Sequence, residues 1–380
     1  MTVAGATGSE TARPTSRAEE MEGIVNFSAG PSVLPAPVVG RIRDEFPDWN
    51  GTGASVVELS HRGGPFMELA AELEARLRRL MAIPDRHRVL FLQGGAQMQF
   101  AAVPLNLAGK GGTASYVDTG AWSARAIAEA RRLCRVRVAA SSEGDGYRSV
   151  PPREEWDVAP DSAYLHYVAN ETIAGVEFRS VPDGGGTPLV CDMSSNILSG
   201  PVDVGRFGVI YAGAQKNMGV SGLTVVIVRE DLLDRAHPLT PTVIRYSAQA
   251  SSGSMANTPC TFAWYVASLV LEWIEGEGGV GAMAGRNERK AERLYRAIDA
   301  SDFYANRIEP GARSRMNVSF ELADAALDSV FLEAAAEAGF IGLKGHRALG
   351  GMRASIYNAM PETGVERLVA FLEDFERLHG

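Results

Sequence analysis

From about residue 56 to 228 short apolar runs alternate with amphipathic helical patterns, and this alternation limits the fold more than any other feature of the chain. The runs fall at 88–92, 114–117, 135–139, 164–169, 189–191, 208–211 and 223–228. Helical periodicity fills several of the gaps, at 66–82 and 121–134 for example. Short β-rich runs separated by helices build βαβ units, hence an α/β fold with a mostly parallel sheet covered on both faces. Ligands of such sheets sit outside the carboxyl ends of the strands, so chemistry is to be sought in the loops that follow these runs.

After about residue 257 the pattern changes. An apolar helix at 262–275 is followed by a glycine-rich break at 276–285 and a charged helix at 287–300. A strand at 316–321, a helix at 327–338, a strand at 353–357 and a last helix at 364–378 complete a smaller α+β domain. The expected division is a disordered tail at 1–22, a segment at 23–35 that joins the small domain, a large domain at 36–260 and the small domain at 261–380. The tail is rich in Ala, Gly, Thr, Ser and Glu and has almost no bulky apolar side chain with which to order itself.

Composition narrows the function classes. Hydrophobic residues make up 46% of the 380 and charged residues 22%, which suits a soluble chain with a sizeable core. The net charge of −9, with no basic block interleaved with aromatics, argues against a nucleic-acid surface. No apolar run reaches the length of a membrane span, and the acidic leader has no apolar stretch of a signal peptide. Cys134, Cys191 and Cys260 are widely spaced and the six histidines form no metal-binding pattern, so we expect reduced thiols, a cytoplasmic location and no metal.

Three segments point to chemistry. In Leu90-Phe-Leu-Gln-Gly-Gly-Ala-Gln-Met-Gln-Phe100 a buried strand runs through two glycines into a helix, whose free N–H groups favour an anion. It matches neither a dinucleotide fingerprint nor a nucleotide-triphosphate loop. In Pro188-Leu-Val-Cys-Asp192 a carboxylate ends an apolar strand, as a turn or cap residue or as the partner of a protonated ring nitrogen. Lys216 follows 24 residues later in a small-residue loop, where desolvation lowers the pKa of an amine and makes it a nucleophile toward aldehydes. A strand-end Asp with such a Lys matches the two anchors of an aldehyde cofactor.

Asn26-Phe-Ser-Ala-Gly-Pro, Ser60-His-Arg-Gly, Gly94-Gly-Ala-x-x-Gln-Phe, Asn170-Glu-Thr-Ile-x-Gly, Asp192-Met-Ser-Ser-Asn, Gly213-Ala-Gln-Lys-Asn and Asn257-Thr-Pro follow one another along the chain. They end in Gly342-Leu-Lys-Gly-His-Arg and Gly350-Gly-Met-Arg-Ala-Ser-Ile-Tyr-Asn-Ala. In this order the set resembles the motifs of the phosphoserine aminotransferases. That resemblance implies a fold-type-I aminotransferase, a pyridoxal 5'-phosphate cofactor, and a homodimer with shared active sites acting on L-glutamate and phosphoserine in serine biosynthesis. Lys216 is then the residue that bonds to the cofactor and shuttles the Cα proton, with Asp192 on the pyridinium nitrogen. Trp122 stacks on the ring and Thr172 bonds its hydroxyl. The Ala96 and Gln97 N–H groups with the Gln215 side chain hold the cofactor phosphate, joined by Asn257 and Thr258 from the partner subunit. Arg353 takes the substrate α-carboxylate, while Arg62, His346 and Arg347 meet its distal phosphate or carboxylate.

The chain departs from the family pattern at two places. Gln97 stands where one branch of the family has Arg, and Ala29 where some members have Ser. An alanine:glyoxylate type of aminotransferase and a non-catalytic cofactor-binding relative are the alternatives. The pairing of Gly345-His-Arg with Arg353 disfavours the first, and the presence of both Lys216 and Asp192 disfavours the second. Neither Cys191 nor Cys260 is placed as the mobile cysteine a desulfurase needs.

Overall fold

The computed structural model describes residues 23–380, so the expectation of a disordered tail at 1–22 lies outside the described residues. Seven strands form the central sheet: β1 His87–Leu92, β2 Thr113–Asp118, β3 Arg135–Ser141, β4 Ser162–Val168, β5 Leu189–Asp192, β6 Phe207–Gly213 and β7 Thr224–Arg229. Their order is β1-β7-β6-β5-β4-β2-β3, with β7 antiparallel to both neighbours and every other adjacent pair parallel. Each predicted apolar run falls on one of these strands. The inner strands are apolar on both faces because helices cover both, and β6 is buried at all seven positions. β3 lies at an edge and exposes Arg135 and Arg137, charges that protect an edge from pairing with another chain.

The Thr261–Gly276 helix, which the sequence reading gave to the small domain, packs with the sheet. Its Trp264 ring centroid lies 4.9 Å from that of Phe91 on β1 and 5.7 Å from that of Phe66, and residues from Ala263 to Ile274 join the core cluster of Val89, Val225 and Ile227. A second cluster starts at Ala291 and gathers Phe320, Phe331, Ala354, Leu368 and Phe375, together with Val25 and Phe27 from the N-terminal segment. It contains a three-stranded antiparallel sheet of Tyr304–Ala305, Asn317–Leu322 and Met352–Ser355. Val25–Asn26 pairs in parallel with Phe340–Ile341 beside it.

One expected boundary is displaced. The charged helix begins at Gly279, inside the run read as a glycine-rich break, and continues to Asp299. Glycine lowers helix propensity by about 1 kcal/mol per residue. Tertiary contacts override that cost: Met283 is fully buried, and the Asn287 amide donates to Asn358 Oδ1 at 2.8 Å and to the Ser199 carbonyl at 3.1 Å. Among the described residues no helix is long and apolar enough to cross a membrane.

Lys290 on this helix is buried, and its ammonium donates to the carbonyls of Ile356, Tyr357 and Met360 at 2.8, 2.7 and 3.1 Å. It thereby fixes the turn that follows Met352–Ser355, the strand that bears Arg353. Lys290→Met keeps the apolar stem but leaves the Ile356 and Met360 carbonyls without their donor and the Tyr357 carbonyl with the Met360 N–H alone. We expect a loss of about 2–5 kcal/mol in unfolding free energy by urea titration, since one stranded buried acceptor costs about 1–3 kcal/mol. A loss below about 0.5 kcal/mol would show that the clamp is not needed.

Candidate active site

The carboxyl ends of β1, β2, β4, β5 and β6 open on one cavity of about 610 Å³. The turn after β1 delivers Gly94 to Gln97, the helix after β2 delivers Trp122, and the loop after β4 delivers Asn170 and Thr172. β5 ends on Asp192, and the loop after β6 contributes Gln215 and Lys216. His346 and Arg353 close the cavity from the small unit, and Ala29 and Gly30 from the N-terminal segment.

At its centre the Lys216 amine donates to Thr172 Oγ1 at 2.6 Å and lies 5.6 Å from the Trp122 ring centroid. Burial lowers the pKa of this amine to about 8; the Asp192 and Glu171 carboxylates oppose the shift and Arg353 adds to it. The loop is held from behind, because Ser32 donates its hydroxyl to the Lys216 carbonyl at 2.6 Å and its N–H to the Gln215 carbonyl at 3.0 Å. Burial pushes the Asp192 carboxyl above its ordinary range, against hydrogen bonds from Ser194 and the field of Lys216. The Ser194 N–H donates to Asp192 Oδ1 at 2.8 Å.

The Gly95–Leu107 helix starts at the cavity with no side chain capping it, so the N–H groups of its first turn are free for an anion. Gly94, at φ +92°, precedes it, and a Cβ there would lie 2.7 Å from that of Met98. Arg353 is a partly buried guanidinium with no carboxylate within ion-pair distance among the described residues. Its Nη1 makes only a long 3.5 Å contact to the Thr172 carbonyl, and its Nε is buried without a partner. Burial and the charges of Arg353, Arg125 and Arg347 lower the pKa of the His346 imidazole.

Of the residues expected in the site, Ala96, Gln97, Trp122, Thr172, Asp192, Gln215, Lys216, His346 and Arg353 line this cavity together. Arg62, Arg347, Asn257 and Thr258 are exposed and do not line it within one chain. The Thr258 carbonyl accepts from Gln93 Nε2 at 2.9 Å, which puts that loop beside the end of β1. Among the described residues no three His, Cys, Asp or Glu side chains gather as a metal-ligand set.

Two residues at the site have no counterpart in the sequence reading. Glu171 is buried and accepts from the N–H groups of Trp122 and Ser123 at 2.9 and 2.8 Å and from the Ser123 hydroxyl at 2.8 Å. It occupies the capping position that Gly120 leaves empty, for a Cβ on Gly120 would lie 2.7 Å from the Glu171 carboxyl carbon. Burial pushes its carboxyl up to about 7 against those donors. Its signal in the sequence was its place next to Thr172 in Asn170-Glu-Thr. The second is Arg125, whose guanidinium carbon lies 4.8 Å from the Trp122 ring centroid. Its three-residue spacing from Trp122 on a helix was the available clue.

The profile of the class-V aminotransferases matches residues 24–368, and the chain belongs to that family. It is 58% identical over 358 residues to the phosphoserine aminotransferase of Acidithiobacillus ferrooxidans, covering 94% of this chain and 99% of that one. The solved phosphoserine aminotransferase of Bacillus circulans subsp. alkalophilus superposes with a TM-score of 0.91 at 46% identity, covering 93% of this chain and 98% of that one. The pyridoxal-phosphate-bound phosphoserine aminotransferase of Trichomonas vaginalis gives 0.87 at 40% identity, with coverages of 91% and 99%. Within the class-V enzymes the chain is thus a member of the phosphoserine aminotransferase family, and its fold is of type I. The cofactor is pyridoxal phosphate. The cavity fits this group: an uncapped helix start for its phosphate, a buried carboxyl for its ring nitrogen, an amine of lowered pKa for its aldehyde, and an indole Nε1 of Trp122 left without a partner.

With the cofactor removed, the reactivity of Lys216 toward a limiting amount of an acylating reagent should rise with pH through a midpoint of about 8 and then level off. Only the unprotonated amine reacts, so acid protects it. Arg353→Met removes a cation and should raise the midpoint; Asp192→Asn removes an anion and should lower it. Peptide mapping that returns a midpoint above about 10, the ordinary range for lysine, would refute a desolvated Lys216.

Proposed function

We propose that the protein transfers an amino group between L-glutamate and 3-phosphohydroxypyruvate, giving O-phospho-L-serine and 2-oxoglutarate in L-serine biosynthesis. The observation that carries this reading is the pairing, across one cavity, of a low-pKa Lys216 over Asp192 with an unpaired Arg353 guanidinium. Bound pyridoxal phosphate supplies the aldehyde that accepts the amino group and the ring that draws electrons from the substrate Cα.

The chain's own groups do the rest. Asp192 holds a proton at the ring nitrogen through a charge-assisted hydrogen bond, and Lys216 takes and returns the proton at the substrate Cα. Trp122 would cover the ring, and Thr172, whose hydroxyl accepts from Lys216, would bond the ring hydroxyl. The free N–H groups of Ala96 and Gln97, with the Gln215 side chain, receive the cofactor phosphate. Arg353 grips the α-carboxylate with its two-pronged guanidinium. His346, with Arg62 and Arg347, receives the distal phosphate of phosphoserine or carboxylate of glutamate.

We further infer a cytoplasmic homodimer in which Asn257 and Thr258 reach the partner's cofactor phosphate. Their exposure supports this, as do the exposed Met67 and Met98 close in sequence to Arg62 and Gln97. Cys134, Cys191 and Cys260 are all unpaired, in keeping with a reducing compartment.

Steady-state assays with both amino acids divide the substrate contacts. Arg353→Ala should weaken phosphoserine and glutamate alike, because both present an α-carboxylate. His346→Ala should weaken phosphoserine more, because a phosphate dianion gains more from charged donors than a carboxylate does. Equal losses in both variants would refute the division.

Mixing two inactive homodimers tests the shared site. In hybrids of Lys216→Ala with Thr258→Asp, one site carries both lesions and the other carries neither. Random exchange makes half the dimers hybrid with half their sites intact, so about a quarter of the original activity should return. Tagged hybrids that stay inactive would place Thr258 in its own subunit's site.

A further inference from the structure

Arg125 lies on the second turn of the Ala121–Ala130 helix, on the face that bears Trp122. It lines the cavity of Lys216, and it also lines an outer hollow beside Gln97. Four residues on stands Glu129, the natural helical partner of an arginine, yet Glu129 pairs with Arg132 at 3.3 Å. Arg125 has no carboxylate within ion-pair distance among the described residues, and its guanidinium packs over the Trp122 indole instead.

This stacking has a chemical consequence. A guanidinium over an aromatic face is held by its plane, while its N–H groups point outward along the edge. The Trp122 contact therefore holds the guanidinium carbon near the cavity with its N–H groups not used by a carboxylate. Its charge reaches His346 across the mouth, where it contributes with Arg353 to lowering the pKa of the imidazole. Thus two unpaired guanidiniums, Arg125 from the large unit and Arg353 from the small one, line one cavity. An amino acid with a single carboxylate would satisfy only one of them. A substrate with an anion at each end satisfies both.

We propose that Arg125 is a specificity-determining residue that binds the distal anion of the substrate, a phosphate monoester or a side-chain carboxylate, opposite the α-carboxylate held by Arg353. The assignment rests on the reading of the site given above and adds to it a ligand outside the motifs. It also offsets the neutral Gln97, where one branch of the family has arginine.

The test uses the cofactor-loaded enzyme and the variants Arg125→Gln, Arg125→Lys and Arg131→Gln. Arg125→Gln should raise KM for phosphoserine roughly ten- to hundredfold, the range for losing a hydrogen-bonded charge, and change kcat by no more than about threefold. Arg125→Lys should recover part of the loss. Arg131→Gln, an exposed arginine at the C-terminal end of the same helix that lines neither the cavity nor the outer hollow, should resemble the parent. A second measurement does not depend on which amino acid is the substrate. Calorimetric binding of glutarate, with two carboxylates, should weaken in Arg125→Gln, while binding of butyrate, with one, should not. If phosphoserine proves inert with the parent enzyme, the proposed function fails and the glutarate comparison still decides the role of Arg125. Equal weakening of both acids would overturn the proposal, as would unchanged glutarate affinity. A rise in the dissociation constant for pyridoxal phosphate with KM unaltered would overturn it too, by assigning Arg125 to the cofactor.

Discussion

Asp192 and Lys216 stand in each other's electric field inside a cavity that removes both from bulk water, and the rest of the site is arranged around that pair. Two adjacent parallel strands make the approach possible: Asp192 pairs in register with Tyr211 on β6, and five residues later the chain presents Lys216. Burial alone would neutralise both groups, raising the acid and lowering the base. Each partly opposes that tendency in the other, since Lys216 lowers the Asp192 pKa and Asp192 raises that of Lys216. The result is a carboxyl able to hold a cationic ring nitrogen and an amine that loses its proton near neutrality.

The small unit must deliver Arg353 to this pair in a fixed orientation, and buried polar contacts between the two units supply the rigidity. Asn170 after β4 donates to Asn317 at 2.8 Å, and Asn317 in turn donates to Ser355 and to Tyr357. The Asn358 N–H donates to Asn217 Oδ1 at 3.0 Å, directly after Lys216 in sequence. The Tyr357 hydroxyl donates to the Ala29 carbonyl at 2.6 Å, in the segment whose Ser32 grips the Lys216 loop. Such networks are costly if left half made, because an unpaired buried polar atom loses its hydration with no return. They therefore specify one relative position of the strand of Arg353 and the loop of Lys216.

Much of this was legible in the sequence, and the reason is burial. A strand covered on both faces must be apolar throughout, so the inner sheet strands announced themselves as apolar runs, while the edge strand β3 showed as an alternation of Arg and Val. Asp192 and Lys216 stood out for the opposite reason, as charges where such runs end. The helix start at Gly279 was illegible because propensity opposed it and contacts of Met283 and Asn287 with distant residues decided it. Glu171 read as one letter of a motif, for its role depends on a Gly120 brought to it by a separate βα unit. Arg125 had only its spacing from Trp122 as a clue, since one arginine on a helix is an ordinary surface charge until its carboxylate neighbour is seen to pair elsewhere. Arg62, Arg347, Asn257 and Thr258 could be named only by resemblance, and one chain does not bring them to the cavity.

The same reasoning explains why the cavity holds more cationic than anionic side chains although the chain carries a net charge of −9. Asp192 lines it as a carboxylate, with Glu171 just behind, while Lys216, Arg353, Arg125 and the start of the Gly95–Leu107 helix present positive charge or free N–H groups. A cofactor phosphate and a substrate anionic at both ends bring negative charge that the isolated chain lacks. Arg353 Nε is buried with no hydrogen-bond partner in the protein, so a bound carboxylate can meet it. Binding energy is therefore concentrated at the two anionic ends of the substrate, groups whose own bonds do not change in the reaction. There it can be spent on holding the Cα–H bond toward Lys216, which is how contacts with non-reacting groups raise the rate. On this view discrimination against singly charged amino acids follows from a missing anchor, because a ligand with one anion forgoes the charge-assisted hydrogen bonds of the second guanidinium.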